Sequence, residues 1–123
     1  MLKFGWLGFH QEGVSTLNYL IKTNSVSFVM TLDKKSKNSK SASSDYKKNE
    51  NIPYYEINNI NNLETISIIK RHNIDILFVI GWSQILSEKA LKSVNIGVIG
   101  SHASLLPNLR GSAPVNWAII KNL

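Results

Sequence analysis

Residues 74–80 read IDILFVI, and every one of them except Asp75 is apolar. A short and nearly continuous apolar run is typical of a parallel strand that is covered on both of its faces. This segment therefore predicts a β-strand, and we expect it to be the central strand of a sheet. The segments on either side of it decide the class of fold.

Strand-like and helix-like segments alternate before residue 74. Runs rich in β-branched and aromatic residues predict strands, whereas apolar residues spaced three or four apart predict helices. The predicted strands are residues 2–7, 26–32 (VSFVMTL) and 52–57, and the predicted helices are residues 13–23 and 61–72.

The same alternation continues after residue 80. Residues 87–93 predict a short helix, because Ser87 is a favoured N-cap and the acidic Glu88 follows it. Residues 95–100 (NIGVIG) predict another buried strand, and residues 113–123 predict a helix with Pro114 near its start, where proline is best tolerated. Repeated strand and helix units predict a Rossmann-like α/β fold, an open and mostly parallel sheet with helices on both faces. We expect residues 1–123 to form a single domain.

Three loops are expected to build the functional site. Ligands of open α/β sheets bind beyond the carboxyl ends of the strands, so the loops after residues 7, 80 and 99 should converge on one crevice. The first loop, GFHQEG, satisfies neither nucleotide-binding glycine pattern, and we interpret it as a tight turn with His10 at its surface. The third loop, GSHASLLPNLRGSAP, places His102 at the end of a buried strand and continues without periodicity. A loop restrained by proline in this way often shapes a site.

Composition excludes several classes of site. The chain has no cysteine, which excludes disulfides, thiolate nucleophiles and cysteine-bound zinc. It has only three histidines, so we expect no metal site. The start MLKFGWLGF is too short and too glycine-broken for a signal sequence, and no run approaches the ~20 apolar residues of a membrane helix. We therefore expect a soluble, cytoplasmic protein with no membrane partner.

Much of the net charge of +6 lies in residues 34–51, KKSKNSKSASSDYKKNEN. This segment has neither helical nor strand periodicity, and its composition indicates a flexible basic loop. Two interpretations stay open: a solvated surface loop, or a loop that contacts phosphates.

Residues 102–119, HASLLPNLRGSAPVNWAI, resemble a motif of the folate-dependent formyltransferases, and GWSQIL at residues 81–86 extends the similarity. The resemblance implies formyl transfer from 10-formyltetrahydrofolate, as cosubstrate, to an amino group. It also implies that His102 is the catalytic acid/base, a role that suits an imidazole because it can donate or accept a proton near neutral pH. For the full-length protein we expect a homodimer.

The same resemblance implies a folate pocket with two walls. One wall would be Gln84, Ile85 and Leu86, whose backbone groups pair with the pterin ring. The other wall would be Ser104, Leu105, Leu106 and Pro107, in which the leucines offer apolar surface and the serine a polar group. Arg110 and Gly111 match the motif as well, although Arg110 could equally form a structural ion pair.

Two features depart from the family pattern. Gly100 occupies the position where the family usually has an asparagine that helps to hold the oxyanion, so a substitute such as Ser101 or a backbone N–H would be needed. The family's catalytic aspartate lies beyond the histidine, and none of Asp33, Asp45 and Asp75 can take its role. We therefore expect the chain to be incomplete at its carboxyl end.

The acceptor amine has two interpretations. The run RGSAPVNWAI, together with Trp82 and Trp117, favours the amino group of a nucleotide-linked amino sugar. Methionyl-tRNA is the alternative, because members of that branch carry a basic loop after the second strand, where residues 34–48 lie. A non-catalytic folate-binding or interaction domain is a further alternative, since it would tolerate both Gly100 and the missing aspartate.

Overall fold

The computed structural model describes residues 1–10, 13–23, 25–33, 35, 51–112 and 114–123. These residues contain a five-stranded sheet in which every neighbouring pair of strands is parallel. Its strands are β1 (Phe4–Leu7), β2 (Val26–Leu32), β3 (Tyr54–Ile57), β4 (Ile76–Val79) and β5 (Gly97–Gly100), and its helices are α1 (Val14–Ile21), α2 (Leu63–His72), α3 (Glu88–Leu91) and α4 (Pro114–Ile120). The predicted Rossmann-like α/β fold is confirmed. Apart from Lys35 and Asn51, the predicted basic loop at 34–51 lies outside the described residues.

Two hydrophobic cores lie on opposite faces of the sheet, because successive side chains of a strand point to opposite sides. On one face, Trp6 packs with Val29 of β2 and Leu17 of α1. On the other face, Leu7 packs with strand residues and with Ile69 of α2. Helices therefore cover both faces, as an open parallel sheet requires.

The strand order is β3-β2-β1-β4-β5, which corrects two predictions. The central strand is β1, flanked by β2 and β4, and not the strand in residues 74–80. The last strand was predicted to be buried, but Ile99 and Gly100 are exposed. Among the described strands β5 pairs only with β4, so it lies at the edge of the sheet.

The helix ends follow local capping chemistry. Ser87 caps α3 as predicted, because its Oγ accepts a hydrogen bond from Ala90 N at 3.2 Å. Helix α2 ends at Asn73, which adopts the left-handed conformation with φ of 49°. The last helical residue, His72, contacts the Tyr55 hydroxyl through Nε2 at 2.8 Å. Burial, and to a smaller degree the charge of Arg71, lowers the pKa of His72, so we assign this histidine to the packing of α2.

Candidate functional site

A crevice of about 390 Å³ lies at the carboxyl ends of the strands. It is formed by the loops that follow β1, β4 and β5 and by the first turn of α4. The convergence of these three loops was predicted and is confirmed. The lining residues are Val79 and Gly100 at the ends of β4 and β5, and the loop and helix residues His10, Gly81, Trp82, Ser101, His102, Ala103, Pro114, Val115 and Asn116.

Backbone hydrogen bonds join the loops after β1 and β4. Ile80 N donates to Leu7 O at 3.0 Å, and Phe9 N donates to Gly81 O at 3.2 Å. Gly81 has φ of 64°, a left-handed conformation that glycine adopts without steric cost. The rings of Phe9 and Trp82 meet edge to face, with centroids 5.5 Å apart. Both loops are therefore held beside each other at the floor of the crevice.

His102 lies two residues after the end of β5 and is half-buried. Its Nε2 is 2.7 Å from Leu109 O. A carbonyl oxygen can only accept a hydrogen bond, so Nε2 must be the donor, and in the neutral ring Nδ1 is then the atom able to accept a proton. Leu109 itself has φ of 55°, a left-handed backbone that turns its carbonyl toward the histidine's part of the loop. The sequence motif therefore orients its own histidine.

The predicted second wall of the folate pocket is a tight turn. Ser104 Oγ donates to Asn108 O at 2.6 Å, and Asn108 N donates to Leu105 O at 3.0 Å. The side chain of Leu105 is 86% exposed and that of Leu106 is 62% exposed. The exposed Arg110 makes a long contact, from Nη1 to Pro107 O at 3.4 Å. The turn thus presents apolar side chains outward while its polar groups bond to one another.

The predicted first wall is bonded to the connection between β3 and α2. Gln84 Nε2 donates to Asn58 O at 2.8 Å, and Gln84 Oε1 accepts from Ile60 N at 2.9 Å. The next side chain, Ile85, is 89% exposed, whereas Leu86 packs against the core. The lining of the His102 crevice includes neither Gln84, Ile85 and Leu86 nor residues 104–107. The folate pocket therefore stays a prediction, and the side chain of Gln84 holds the loop in place.

Gly100 ends β5 and lines the crevice directly before Ser101 and His102. Among the described residues beyond its chain neighbours, a Cβ atom built on Gly100 would have one near neighbour, Val79 O at 3.4 Å. Its φ lies outside the left-handed region that only glycine tolerates easily. The position can therefore accept a Cβ atom, as the asparagine that the resemblance leads us to expect there would require.

The described aspartates lie away from His102. Asp75 precedes β4, at the opposite end of the strand from the crevice, and its Oδ2 accepts from Lys3 N at 2.9 Å. That hydrogen bond, followed by one from Asn95, lowers the pKa of Asp75. Asp33 follows β2 and lines a separate hollow with Glu56 and Glu64. Asp45 lies outside the described residues.

Neither a metal-ligand cluster nor a membrane-spanning helix occurs in the described part of the chain. Across residues 1–10, 13–23, 25–33, 35, 51–112 and 114–123, no three histidine, aspartate or glutamate side chains gather where they could hold a metal ion. In those same ranges, no helix has the length and apolar character needed to cross a membrane.

Sequence reasoning missed two groups that shape the site. The first is the carbonyl of Leu109, whose role depends on a left-handed backbone that leucine rarely adopts. The second is Asn61, whose side chain bonds to the backbone of Ile85 and Ser87. Asn61 lies in the asparagine-rich run NNINN, which reads as an ordinary loop, and no local pattern indicates its contacts.

Comparisons with known proteins agree with the motif. The sequence model of the family described as formyl transferase matches residues 10–122. A methionyl-tRNA formyltransferase from Clostridium acetobutylicum is 38% identical over 126 residues, which cover 98% of this chain and 41% of that protein. The bifunctional polymyxin resistance protein ArnA from Wigglesworthia glossinidia brevipalpis is 42% identical over 69 residues, which cover 56% of this chain and 11% of that protein.

The fold also has a counterpart among solved structures. The crystal structure of phosphoribosylglycinamide formyltransferase from Bacillus halodurans matches with a TM-score of 0.73 at 16% identity, over 98% of this chain and 66% of that chain. The chain spans about two fifths of the length of the clostridial relative. Because the family model matches most of its residues, the chain belongs to the formyl transferase family.

Proposed function

We propose that the protein containing this chain transfers a formyl group from 10-formyltetrahydrofolate to the amino group of methionyl-tRNA, with His102 as its catalytic acid/base. The observation that carries the proposal is the position of His102. It lies two residues after β5, in the crevice where three loops at the carboxyl ends of the strands meet. Ligands of open α/β sheets bind at this edge.

The reaction needs a group that moves protons in both directions. The acceptor nitrogen forms a bond to the formyl carbon, and the bond from that carbon to N10 of the folate breaks. In the course of this exchange the nitrogen loses a proton and N10 gains one. Because Nε2 of His102 donates to Leu109 O, we assign the proton transfer to Nδ1.

The donor side of the proposal rests on two exposed apolar segments. A flat pterin ring needs apolar surface on its faces and hydrogen-bonding groups at its edge. Ile85 in one segment and Leu105 and Leu106 in the other offer such surface without any rearrangement of the core. The backbone of these segments would supply the edge contacts. The residues present are thus compatible with a folate.

The acceptor side rests on the relatives. The Clostridium acetobutylicum protein, which matches 98% of this chain, is named for methionyl-tRNA, and a Clostridium tetani protein of the same name is 36% identical over the same share of the chain. These relatives favour methionyl-tRNA, the alternative acceptor, over the amino sugar. The basic run at residues 34–48 is chemically suited to RNA, because lysine side chains neutralise phosphates.

The proposal is tested by offering the complete protein both kinds of acceptor. With 10-formyltetrahydrofolate as donor, we expect formylation of methionyl-tRNA and none of a nucleotide-linked amino sugar. Because RNA binding releases counterions, the KM for tRNA should also rise steeply as salt is added, and the KM for a small sugar would not. Formylation of the sugar alone would contradict the proposed acceptor, and no transfer to either would contradict the enzyme assignment.

Restoring the family's asparagine should increase the rate. Removal of one oxyanion donor costs on the order of 100-fold or more in other enzymes, so we expect Gly100→Asn to raise kcat by roughly tenfold or more. A Cβ at Gly100 would be in van der Waals contact with Val79 O without a clash, and we expect the melting temperature to change little. Gly100→Ala is the matched control, since it adds the Cβ without the amide. A faster Gly100→Ala enzyme would show that the gain is not due to a hydrogen-bond donor.

A further inference from the structure

Two amide side chains join the loop after β4 to the connection between β3 and α2. Gln84 reaches from the first segment to the second, where it bonds Asn58 O and Ile60 N. Asn61 reaches in the opposite direction, where its Nδ2 donates to Ile85 O at 2.8 Å and its Oδ1 accepts from Ser87 N at 2.7 Å. We call these two side chains and their four hydrogen bonds the amide clasp.

The amide clasp uses both polar atoms of each side chain. An amide carries one acceptor oxygen and one donor nitrogen, and in both residues each of these atoms has a backbone partner. All four distances lie between 2.7 and 2.9 Å. A carboxylate in place of either amide could accept the hydrogen bond from the backbone N–H. Its second oxygen, however, would lie against the backbone carbonyl to which the amide nitrogen now donates, Asn58 O or Ile85 O. The geometry is therefore specific for amides.

The amide clasp fixes the backbone around the exposed side chain of Ile85. On either side of Ile85, Trp82 and Leu86 pack against the core cluster that contains the fully buried Ile60. Ile85 itself is 89% exposed, and its carbonyl is held by Asn61. The loop backbone is thus anchored by apolar packing at both flanks and by Asn61 at its apex, and this arrangement keeps the Ile85 side chain in solvent.

We propose that Asn61 is a positioning residue for the formyl donor. It fixes the backbone of residues 84–87 in the conformation that presents Ile85 to the folate ring, without touching the reacting atoms. The inference rests on the proposed function, because it takes the loop at 84–86 as a wall of the folate site. Pre-organisation of a binding loop lowers the cost of ordering it when the ligand binds. Asn61 should therefore act on donor affinity and not on the chemical step.

Steady-state kinetics of the complete protein separate these effects. For Asn61→Ala we expect the KM for 10-formyltetrahydrofolate to rise about tenfold, with kcat and the KM for the acceptor within about twofold of the original values. Asn61→Asp should raise the donor KM at least as much. The carboxylate can still accept from Ser87 N, but its second oxygen would repel Ile85 O, to which the Asn61 amide donates. An unchanged donor KM, or a fall in kcat alone, would overturn the assignment.

Asn62→Ala is the matched control. Asn62 is the same residue type in the same connection, and it is exposed, but its Nδ2 donates to Asn58 Oδ1 and not to the loop after β4. We expect its donor KM to stay within about twofold of the original value. An equal rise in Asn61→Ala and Asn62→Ala would mean that general loosening of the connection is responsible, and would overturn the positioning role.

Amide hydrogen exchange tests whether Asn61 orders the loop, independently of whether the proposed function is correct. The amide hydrogen of Ser87 should exchange at least tenfold faster in Asn61→Ala than in Asn62→Ala, because only the first variant removes its acceptor. If the original protein does not use 10-formyltetrahydrofolate, the proposed function fails, while faster exchange still supports Asn61 as the residue that orders the loop. Equal exchange in the two variants would overturn that role independently of any activity.

Discussion

His102→Ala should reduce formyl transfer by the complete protein by roughly 100- to 10,000-fold in kcat, while the affinity for 10-formyltetrahydrofolate stays nearly unchanged. The size follows from the usual contribution of a general acid/base to a rate. Affinity is spared because the proposed donor walls at residues 84–86 and 104–107 lie outside the crevice that His102 lines. Single-turnover kinetics for the rate and calorimetry for donor binding would measure the two effects separately.

His72→Gln is the control for this prediction. It also removes an imidazole, but His72 lies at the end of α2 against Tyr55 of β3 and Phe28 of β2, and it does not line the crevice. We expect its kcat to stay within about twofold of the original value, with a lower melting temperature from the lost packing. If His102→Ala kept the original kcat, the assignment of His102 as acid/base would be wrong.

The contact of His102 with Leu109 supports the expectation that kcat is sensitive to substitution of His102. The hydrogen bond from Nε2 to Leu109 O determines the tautomer of the neutral ring, and it also restricts rotation of the ring. Leu109 is followed by Arg110 and by Gly111, whose φ of 99° is accessible mainly to glycine. The motif residues after the histidine thus include the backbone that orients it. The resemblance identified the motif, and the structure supplies this physical reason for part of it.

The elements of the fold could be predicted from the sequence, but the order of the strands could not. Each of the nine predicted segments has a counterpart among the described residues, because the periodicity of apolar residues is a local property. IDILFVI was expected at the centre, yet β4 lies one place from it. An apolar run indicates that both faces of a strand are covered. Because this is true of a central strand and of the strand next to it, the pattern cannot tell the two positions apart.

For the candidate site, the position of His102 could be predicted from the sequence, but the contacts of Gln84 and Asn61 could not. His102 could be placed at the crevice, since the carboxyl ends of parallel strands meet at one edge of the sheet. The roles of Gln84 and Asn61 could not be predicted, because each depends on a partner at least 24 residues away in the chain. The preference for an amino sugar acceptor rested on the run RGSAPVNWAI with Trp82 and Trp117, whereas the relatives that match nearly the whole chain are named for methionyl-tRNA.

Gly5→Ala should destabilise the fold by about 1–3 kcal/mol, the usual cost of overpacking a core. Gly5 lies in β1 between two neighbouring strands, and a Cβ at this position would be 2.5 Å from Phe28 Cζ and 2.7 Å from Ile74 Cδ1. Both of those side chains are fully buried, so neither can swing into solvent to relieve the clash. Urea unfolding at equilibrium would measure the change in the free energy of unfolding.

Gly97→Ala is the matched control, because it adds the same methyl group to another strand glycine. In the part of the chain that the structure describes, a Cβ on Gly97 would meet no atom within 4 Å beyond its chain neighbours, and β5 is at the edge of the sheet. There the substitution should be neutral or stabilise by about 0.5 kcal/mol, since alanine loses less backbone entropy on folding than glycine does. A glycine-to-alanine substitution should thus destabilise the fold in β1 and not in β5. Equal stability of the two variants would show that the sheet can shift to make room at Gly5, and would contradict the close packing of Phe28 and Ile74 against β1.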